Sequence, residues 1–434
     1  MQTKANEKIN IVTLGCAKNL VDSEVLMTQL KGNKKDVFHQ REDINSDIVI
    51  INTCGFIDKA KQESIDTILK YAKEKEDGII KKLYVTGCLS ERYKDDLKTD
   101  IPEVDGFYGT RDLPELLKNF EAKYRNELLG DRIITTDSHY AYLKISEGCD
   151  RPCSFCAIPL MRGRHISKPI DQIILEAKNL VRNGVREIML IAQDSTYYGI
   201  DIYKKRAMSE LLKKLSDVEG LDWIRIHYAY PAGFPMDIIE VMRERDNICN
   251  YLDIPLQHGS TNMLYVMKRG MTREKPDELI KNIRDVNPEI ALRTTLIAGH
   301  PGETDKDFQE MYDFVEKSRF DRLGIFTYSH EEGTSAHKLE DDVPEQVKRS
   351  RSNKIMALQQ KISTQKNKNK VGKTVKVLID RIDANNYYGR TEQDSPEVDN
   401  EVIIPSKEMH LRVGDFYDVK IMDSKEYDLI GKVD

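Results

Sequence analysis

Short apolar runs alternate with longer stretches of helical spacing over the first three quarters of the chain, and the alternation changes scale near residue 135. In the first part INIVTLG (9–15), IVIINT (48–53) and KLYVTG (82–87) each precede a helix-like stretch, near 20–30, 58–75 and 89–98. Strand-then-helix repeats of this length predict a Rossmann-like parallel α/β domain. Six further runs follow at 142–147, 187–192, 223–229, 251–255, 290–297 and 322–328. Amphipathic segments such as IDQIILEAKNLVRNG (170–184) separate them, that one stopped by Gly184. Six βα units exceed a nucleotide-binding fold and fall two short of the eight-stranded barrel, so a partial (β/α)6 barrel is expected. Beyond 371 the runs shorten to TVKVLID, NYYGRT, VIIPS, FYDVKI and YDLIGKV, which predict a small all-β barrel. The predicted class is α/β overall, with domains at 1–135, 136–343 and 371–434 and a connector at 344–370.

Composition removes several classes. Of 434 residues 39% are hydrophobic and 32% charged, and no apolar run approaches the ~20 residues of a membrane span. MQTKANEKIN is basic but leads into no apolar stretch, so no signal peptide is read, and seven cysteines then predict reduced thiols in the cytoplasm. The net charge of −6 gives no global attraction to nucleic acid. Locally, 344–370 holds eight Lys/Arg against one acid, and 371–434 holds nine against fourteen. A module that grips tRNA should be basic, so the acidic C-terminal barrel argues for a basic protein partner recruited by acids such as Glu397, Asp399 and Glu401.

The cysteines carry the chemistry. Cys149, Cys153 and Cys156 stand in GCDRPCSFCAIP, directly after the first barrel strand. CxxxCxxC sets three soft anionic ligands on one loop; a four-iron cluster held by three thiolates keeps one iron open for a small molecule. A structural zinc with His165 as fourth ligand is the alternative, but such sites usually pair two CxxC-type knuckles. Cys16, Cys54 and Cys88 each lie beside a glycine at the end of a predicted parallel strand. Parallel strands deliver those ends to one edge of a sheet, so three thiols should converge there as a second metal site. Cys249 has no such company and reads as structural.

CxxxCxxC with Phe155 before the last cysteine resembles the radical S-adenosylmethionine superfamily. LGCAKNLVDSE (14–24), INTCGFI (51–57) and VTGCLSERY (85–93) extend the resemblance to the methylthiotransferases, and 371–434 resembles the TRAM module. CAIPLMRGRH, AQDSTYYGID and TYSHEEGT resemble the branch that modifies a ribosomal protein more than the tRNA adenosine branch. The resemblance implies two 4Fe-4S clusters, one on Cys149, Cys153 and Cys156 and one on Cys16, Cys54 and Cys88. It implies S-adenosylmethionine, cleaved by one electron to a 5′-deoxyadenosyl radical, and an electron donor such as flavodoxin or ferredoxin. The implied reaction is methylthiolation of an aspartate β-carbon on the twelfth protein of the small ribosomal subunit. That hydrogen is too weakly acidic for a side-chain base near neutral pH, so a radical is needed.

The loops after the six strands are polar or glycine-rich, as a cofactor-binding barrel mouth requires. Glu147, Gln193, Gln257 and Arg293 are the candidate cofactor contacts there; Arg293, inside the apolar LRTTLIAG, must reach a polar partner such as a carboxylate. A superfamily motif on the fifth strand supports adenine; Ile297 and Gly299 match it, whereas Thr295 departs from it. The N-terminal domain and the barrel are expected to face each other across one cavity, because transfer to a carbon radical needs near contact.

Overall fold

A computed structural model describes residues 7–42, 44–406 and 410–433; the outermost ends of the first and last expected domains, 1–6 and 434, lie outside the described residues. The N-terminal sheet is wholly parallel in the order β2-β1-β3-β4-β5, formed by β1 (Lys8–Thr13), β2 (Asp36–His39), β3 (Ile48–Thr53), β4 (Lys82–Gly87) and β5 (Gly106–Phe107). Two of these, β2 and β5, are short edge strands absent from the three-strand reading of the sequence. The order reverses between β1 and β3, and such a switch point opens a crevice at the strands' carboxyl ends. Cys16 and Cys54 flank that crevice.

Six parallel strands form the open barrel in the order β13-β12-β11-β10-β9-β6. They are β6 (Tyr140–Lys144), β9 (Glu187–Ile191), β10 (Trp223–Ile226), β11 (Ile248–Asp253), β12 (Ala291–Ala298) and β13 (Arg322–Thr327). Between the first two, the short pair β7 (Ser146–Glu147) and β8 (Ile166–Ser167) ties the two ends of the cysteine loop together. Alternate residues face helices outside and the barrel interior inside. Ile188, Leu190, Ile224, Leu252 and Leu292 join the helical layer in one large core, while Tyr140, Glu187, Arg225, Tyr251 and Arg293 alternate with residues of that layer. The charged stretch 344–370 holds the helix Glu345–Lys368, which packs along β13 and β12 and places Ile355, Leu358 and Ile362 in the same core. It is the sixth helix of the six βα units, and Lys348, Arg351 and Lys366 pair with Asp341, Glu303 and Asp321.

The last domain is a closed barrel, β14-β15-β16-β18-β17, made of β14 (Thr374–Ile382), β15 (Asn386–Arg390), β16 (Val402–Pro405), β17 (Phe416–Ser424) and β18 (Leu429–Val433). Its loop 391–401 enters the amino-terminal end of the (β/α)6 barrel. Arg390 joins Asp380 and Glu187, each at 2.7–2.8 Å, and Glu187 also receives Arg225 at 2.8 Å. Asp394 holds Arg322, Glu392 accepts from Asn250, and Asp399 takes Tyr251 at 2.7 Å and Arg293 at 3.3 Å. Glu397 accepts from the hydroxyls of Tyr140 at 3.0 Å and Tyr142 at 3.3 Å. The expectation that this acidity recruits a partner is therefore corrected for Glu397 and Asp399. Asp399 pairs with Arg293 and, like Glu397, accepts from phenol hydroxyls of the neighbouring domain.

Candidate metal centres and active site

Cys16 caps the helix Ala17–Gly32 after β1, Cys54 follows β3, and Cys88 opens the helix Cys88–Asp100 after β4. Gly15 adopts φ +92°, and a Cβ there would lie 2.6 Å from the Cys54 Cβ and 2.9 Å from its Sγ. Only glycine lets that loop close on Cys54. The Cys88 Sγ lies 3.7 Å from Asn19 Oδ1, whose amide also donates to Leu14 and Thr53 carbonyls and so fixes the crevice. Burial pushes the Cys54 thiol up and takes Cys88 to about 12, and the negative charge of neighbouring thiolates adds to both. The structure thus brings Cys16, Cys54 and Cys88 together.

Cys149, Cys153 and Cys156 form the second set, on the loop between β7 and β8. The Arg269 guanidinium donates to the Cys153 Sγ at 3.1 Å, and the Arg151 amide faces the Cys149 Sγ at 3.5 Å. Arg151 and Arg269 lie over the Tyr230 ring at 4.1 and 4.3 Å, and Arg151 pairs with Asp194 at 2.7 Å. Burial raises Cys149 to about 11 and Cys156 to about 12, with the fellow thiols of the loop contributing. Among the described residues no three His, Cys, Asp or Glu side chains close around a single ion. In a cuboidal cluster each thiolate instead takes its own iron, so two separated trios of soft donors beside arginines fit iron–sulfur chemistry. His165, the possible zinc ligand, turns its Nε2 to Ser167 at 2.9 Å.

The two sets meet across one interface. Arg162, from the helix Ile158–Arg162 that ends the cysteine loop, is fully buried and donates to Asn19 at 2.5 Å, Asp22 at 2.6 Å and Glu147 at 3.1 Å. Lys144 joins Asp22 and lies 2.7 Å from Glu147. Burial pushes the Glu147 carboxyl up, but Lys144 and Arg162 outweigh it and hold it at about 2. Cys88 packs against Ala157 and Met161 of the same loop, and Ala17, Leu20 and Val21 pack on Tyr142, Met189 and Ile191 at the barrel lip. Arg92 and Lys61 complete the contact on Glu331 at 2.6 and 3.0 Å.

The remaining expected cofactor contacts divide. Gln193 donates to Glu147 at 3.3 Å and keeps a buried Oε1 without a protein partner. Arg151 Nη2, Arg269 Nε and His165 Nδ1 are similarly free. Cys149, Arg151, His165, Asp194 and Tyr197 line a cavity of about 100 Å³ there. Gln257 follows β11 at φ +76° and pairs by its backbone with Thr295 and Ile297. Gly299 follows β12 and lies so close under Lys348 that a side chain there would collide with it. Arg293 lies elsewhere: it stands five residues before the end of β12, with its guanidinium on Asp253 at 3.1 Å and Asp399. Both carboxylates already satisfy it, so it is an interdomain ion pair and not a cofactor contact. The sequence reading missed Arg162, Arg269 and Lys18. Two of these stand inside the quoted motifs CAIPLMRGRH and LGCAKNLVDSE, but no spacing rule assigns them a contact.

Comparison with known proteins fixes the class. Residues 8–109 match Uncharacterized protein family UPF0004, 143–315 the Radical SAM superfamily and 371–433 the TRAM domain. The radical S-adenosylmethionine methyltransferase TsrM from Kitasatospora setae, solved with cobalamin and a 4Fe-4S cluster, shares the fold. Its TM-score is 0.55 at 13% identity, over 74% of this chain and 72% of its own. Fold and cysteine loop together define a radical S-adenosylmethionine protein, a class whose cofactors are an iron–sulfur cluster and S-adenosylmethionine. Curated relatives narrow it further. The ribosomal protein uS12 methylthiotransferase RimO of Cytophaga hutchinsonii is 59% identical over the whole of both chains, and that of Bacteroides fragilis 54% identical over 98% of this chain and 99% of its own. The chain belongs to the ribosomal protein uS12 methylthiotransferase family.

Proposed function

We propose that this chain methylthiolates the β-carbon of an aspartate in ribosomal protein uS12, with two 4Fe-4S clusters and S-adenosylmethionine, fed by a one-electron donor such as flavodoxin or ferredoxin. One observation carries the reading: the two domains that carry the cysteine trios are joined by Arg162, which ends the helix after one trio's loop and reaches Asn19, the neighbour of Cys88 in the other. Cys149, Cys153 and Cys156 would hold one cluster, Cys16, Cys54 and Cys88 the other. When bound, these groups supply sulfur, a methyl group and a one-electron route to an unactivated C–H bond.

The protein's own part is positioning. Arg269 and Arg162 set positive charge beside each thiolate trio, which favours the anionic, metal-ready form. The free Gln193 Oε1 offers an acceptor, and Gln193, Gln257 and Gly299 line the mouth where S-adenosylmethionine would lie. The N-terminal helix Ala17–Gly32 closes the lip and excludes water from the reacting groups. The relatives of this chain modify a ribosomal protein, which supports uS12 over tRNA as the substrate. Anaerobic reconstitution should load about eight irons per chain. Mass spectrometry of uS12 incubated with reconstituted enzyme, reductant and S-adenosylmethionine should then show one methylthio group replacing one hydrogen on an aspartate. Stoichiometric zinc, or modification of tRNA with uS12 untouched, would overturn the reading.

A further inference from the structure

The cations around the mouth divide by what they face. Lys144 and Arg162 face Asp22 and Glu147, Arg151 faces Asp194, and Arg269 donates to the Cys153 sulfur. Lys18 is different. It is 8% exposed, and among the described residues no carboxylate lies within ion-pair distance of it. Its Nζ instead sits 3.5 Å from the centre of the Tyr228 ring. A desolvated ammonium is costly unless paired, and a ring face compensates only part of the loss. The carboxylate that enters the barrel from the other end, Glu397, is held by the hydroxyls of Tyr140 and Tyr142.

The place of this charge matters as much as its lack of a partner. Lys18 stands two residues after Cys16, at the start of the helix that packs on the barrel lip. Tyr228 lies just beyond the end of β10, at φ +61°, a conformation that a bulky residue adopts only where its surroundings impose it. Its amide faces Asp253 at 3.3 Å, and its carbonyl accepts from the Ser195 amide and hydroxyl, which pins the ring. This cation stands two residues from Cys16, and its fixed ring two residues from Tyr230, whose hydroxyl lies 3.9 Å from the Cys153 Sγ; it suits an anion that comes from outside the protein.

We propose that Lys18 receives the side-chain carboxylate of the target aspartate and so sets the preference for an acidic residue. This rests on the functional reading above. The carboxylate would replace the ring as the principal partner of the ammonium, and the β-carbon would then lie one bond away from an anchored group, between the two metal sites.

The test uses reconstituted full-length enzyme and two forms of uS12, one natural and one with asparagine in place of the target aspartate. Wild-type enzyme should bind the aspartate form more tightly. Lys18→Met should weaken that form by about thirtyfold or more and leave the asparagine form little changed, erasing the preference. Lys18→Arg should restore most of the preference, and iron content at the wild-type level in Lys18→Met certifies the fold. A Lys18→Met enzyme that keeps the wild-type preference overturns the assignment. So does a variant whose affinity falls for S-adenosylmethionine and not for uS12, because Lys18 then serves the cofactor's carboxylate. If wild-type enzyme neither binds nor modifies uS12, the functional reading fails and this inference fails with it.

Discussion

The same six strands of the (β/α)6 barrel end in two very different ways. At their amino-terminal ends, Glu187, Arg225, Arg293 and Arg322 meet Arg390, Asp394 and Asp399 of the C-terminal domain, and cation faces carboxylate throughout. At their carboxyl-terminal ends six thiols gather, Arg269 faces a sulfur, and Lys18 faces a ring. Paired charges at one end make a joint between domains. At the other end Lys144, Arg162 and Arg151 are paired too. The Lys18 ammonium on its ring and the buried Cys54 and Cys88 thiols, however, are an arrangement that folding alone does not favour, and they wait for groups the protein does not supply. The difference separates residues that hold the molecule together from residues that act.

The largest expected effects break the open end. Replacing Cys149, Cys153 and Cys156 with Ala should remove about half of the eight irons expected for two clusters and abolish cleavage of S-adenosylmethionine. Replacing Cys16, Cys54 and Cys88 should remove the other half while some uncoupled cleavage persists. Iron analysis and chromatography of the cleavage products check both. Loss of all the iron from either triple variant would mean that the trios share one site.

At the closed end the expected loss is of stability. Glu187 is fully buried between Arg225 and Arg390, so Glu187→Ala leaves two guanidinium groups without their shared partner. Removing one member of such a set costs about 3–5 kcal/mol. Thermal or denaturant unfolding of the metal-loaded enzyme should show it, with iron content per folded chain unchanged. Deleting 371–433 should do more, because it uncovers Trp223 and Cys249, which share a cluster with Leu378 and Phe416, together with Arg322. The truncated chain is expected to lose solubility. A soluble truncation with full iron would show that the joint is dispensable.

This contrast also explains what the sequence could and could not tell. The cysteine spacings and the five short β runs were legible because each is a local pattern. The barrel's first strand was read two residues late because Tyr140, Tyr142 and Lys144, all facing the interior, carry polar tips where an apolar alternation was sought. The edge strands DVFH and GF are too short to show a period. Arg293 was expected to need a carboxylate, and Asp253 is one, but nothing local says which end of the barrel that pair occupies. The acidic count of 371–434 pointed to a protein substrate, as the uS12-modifying relatives bear out, but not to which acids are free to meet it, because a sum of charges carries no information about the cations each acid faces. Lys18 and Arg162 were invisible for the same reason: their roles lie in partners far along the chain.

A gentler probe of the open end is pH. In metal-free protein burial lifts Cys149 to about 11, and Cys88 and Cys156 to about 12, from an ordinary thiol value near 9. A raised folded value favours the fold while the thiols stay protonated. That contribution is complete below pH 9 and is lost as pH climbs from about 9 through 11 to 12. Metal-free enzyme should therefore lose thermal stability across this window, and the metal-loaded form, whose thiolates are already ionised, should lose less. Alkylation mapped by mass spectrometry at pH 8 should be slow at Cys88, Cys149 and Cys156, since the thiolate is the reactive form. Rates equal to those of a free thiol would contradict the buried placement.

The smallest effect separates two carboxylates that stand two residues apart on the loop 391–401. Asp399 has a side chain only 2% exposed and binds Arg293 and Tyr251 in the joint, whereas Glu401 is one-third exposed and pairs with Arg381, itself half exposed. Water screens the second pair, so Glu401→Gln should change stability by no more than about 1 kcal/mol. Asp399→Asn removes one of the two carboxylates on Arg293, leaving Asp253, and weakens the acceptor of the Tyr251 hydroxyl, so it should cost more, about 1–3 kcal/mol. The pair of variants also isolates what survives of the recruiting role once held for this domain's acidity. Glu401 points away from the joint, so Glu401→Lys can weaken uS12 binding without loosening the domains. A salt-sensitive fall in uS12 modification with unchanged melting would assign recruitment to the outer face of the small barrel. No fall at any salt concentration would leave its acidic residues with the joint as their role.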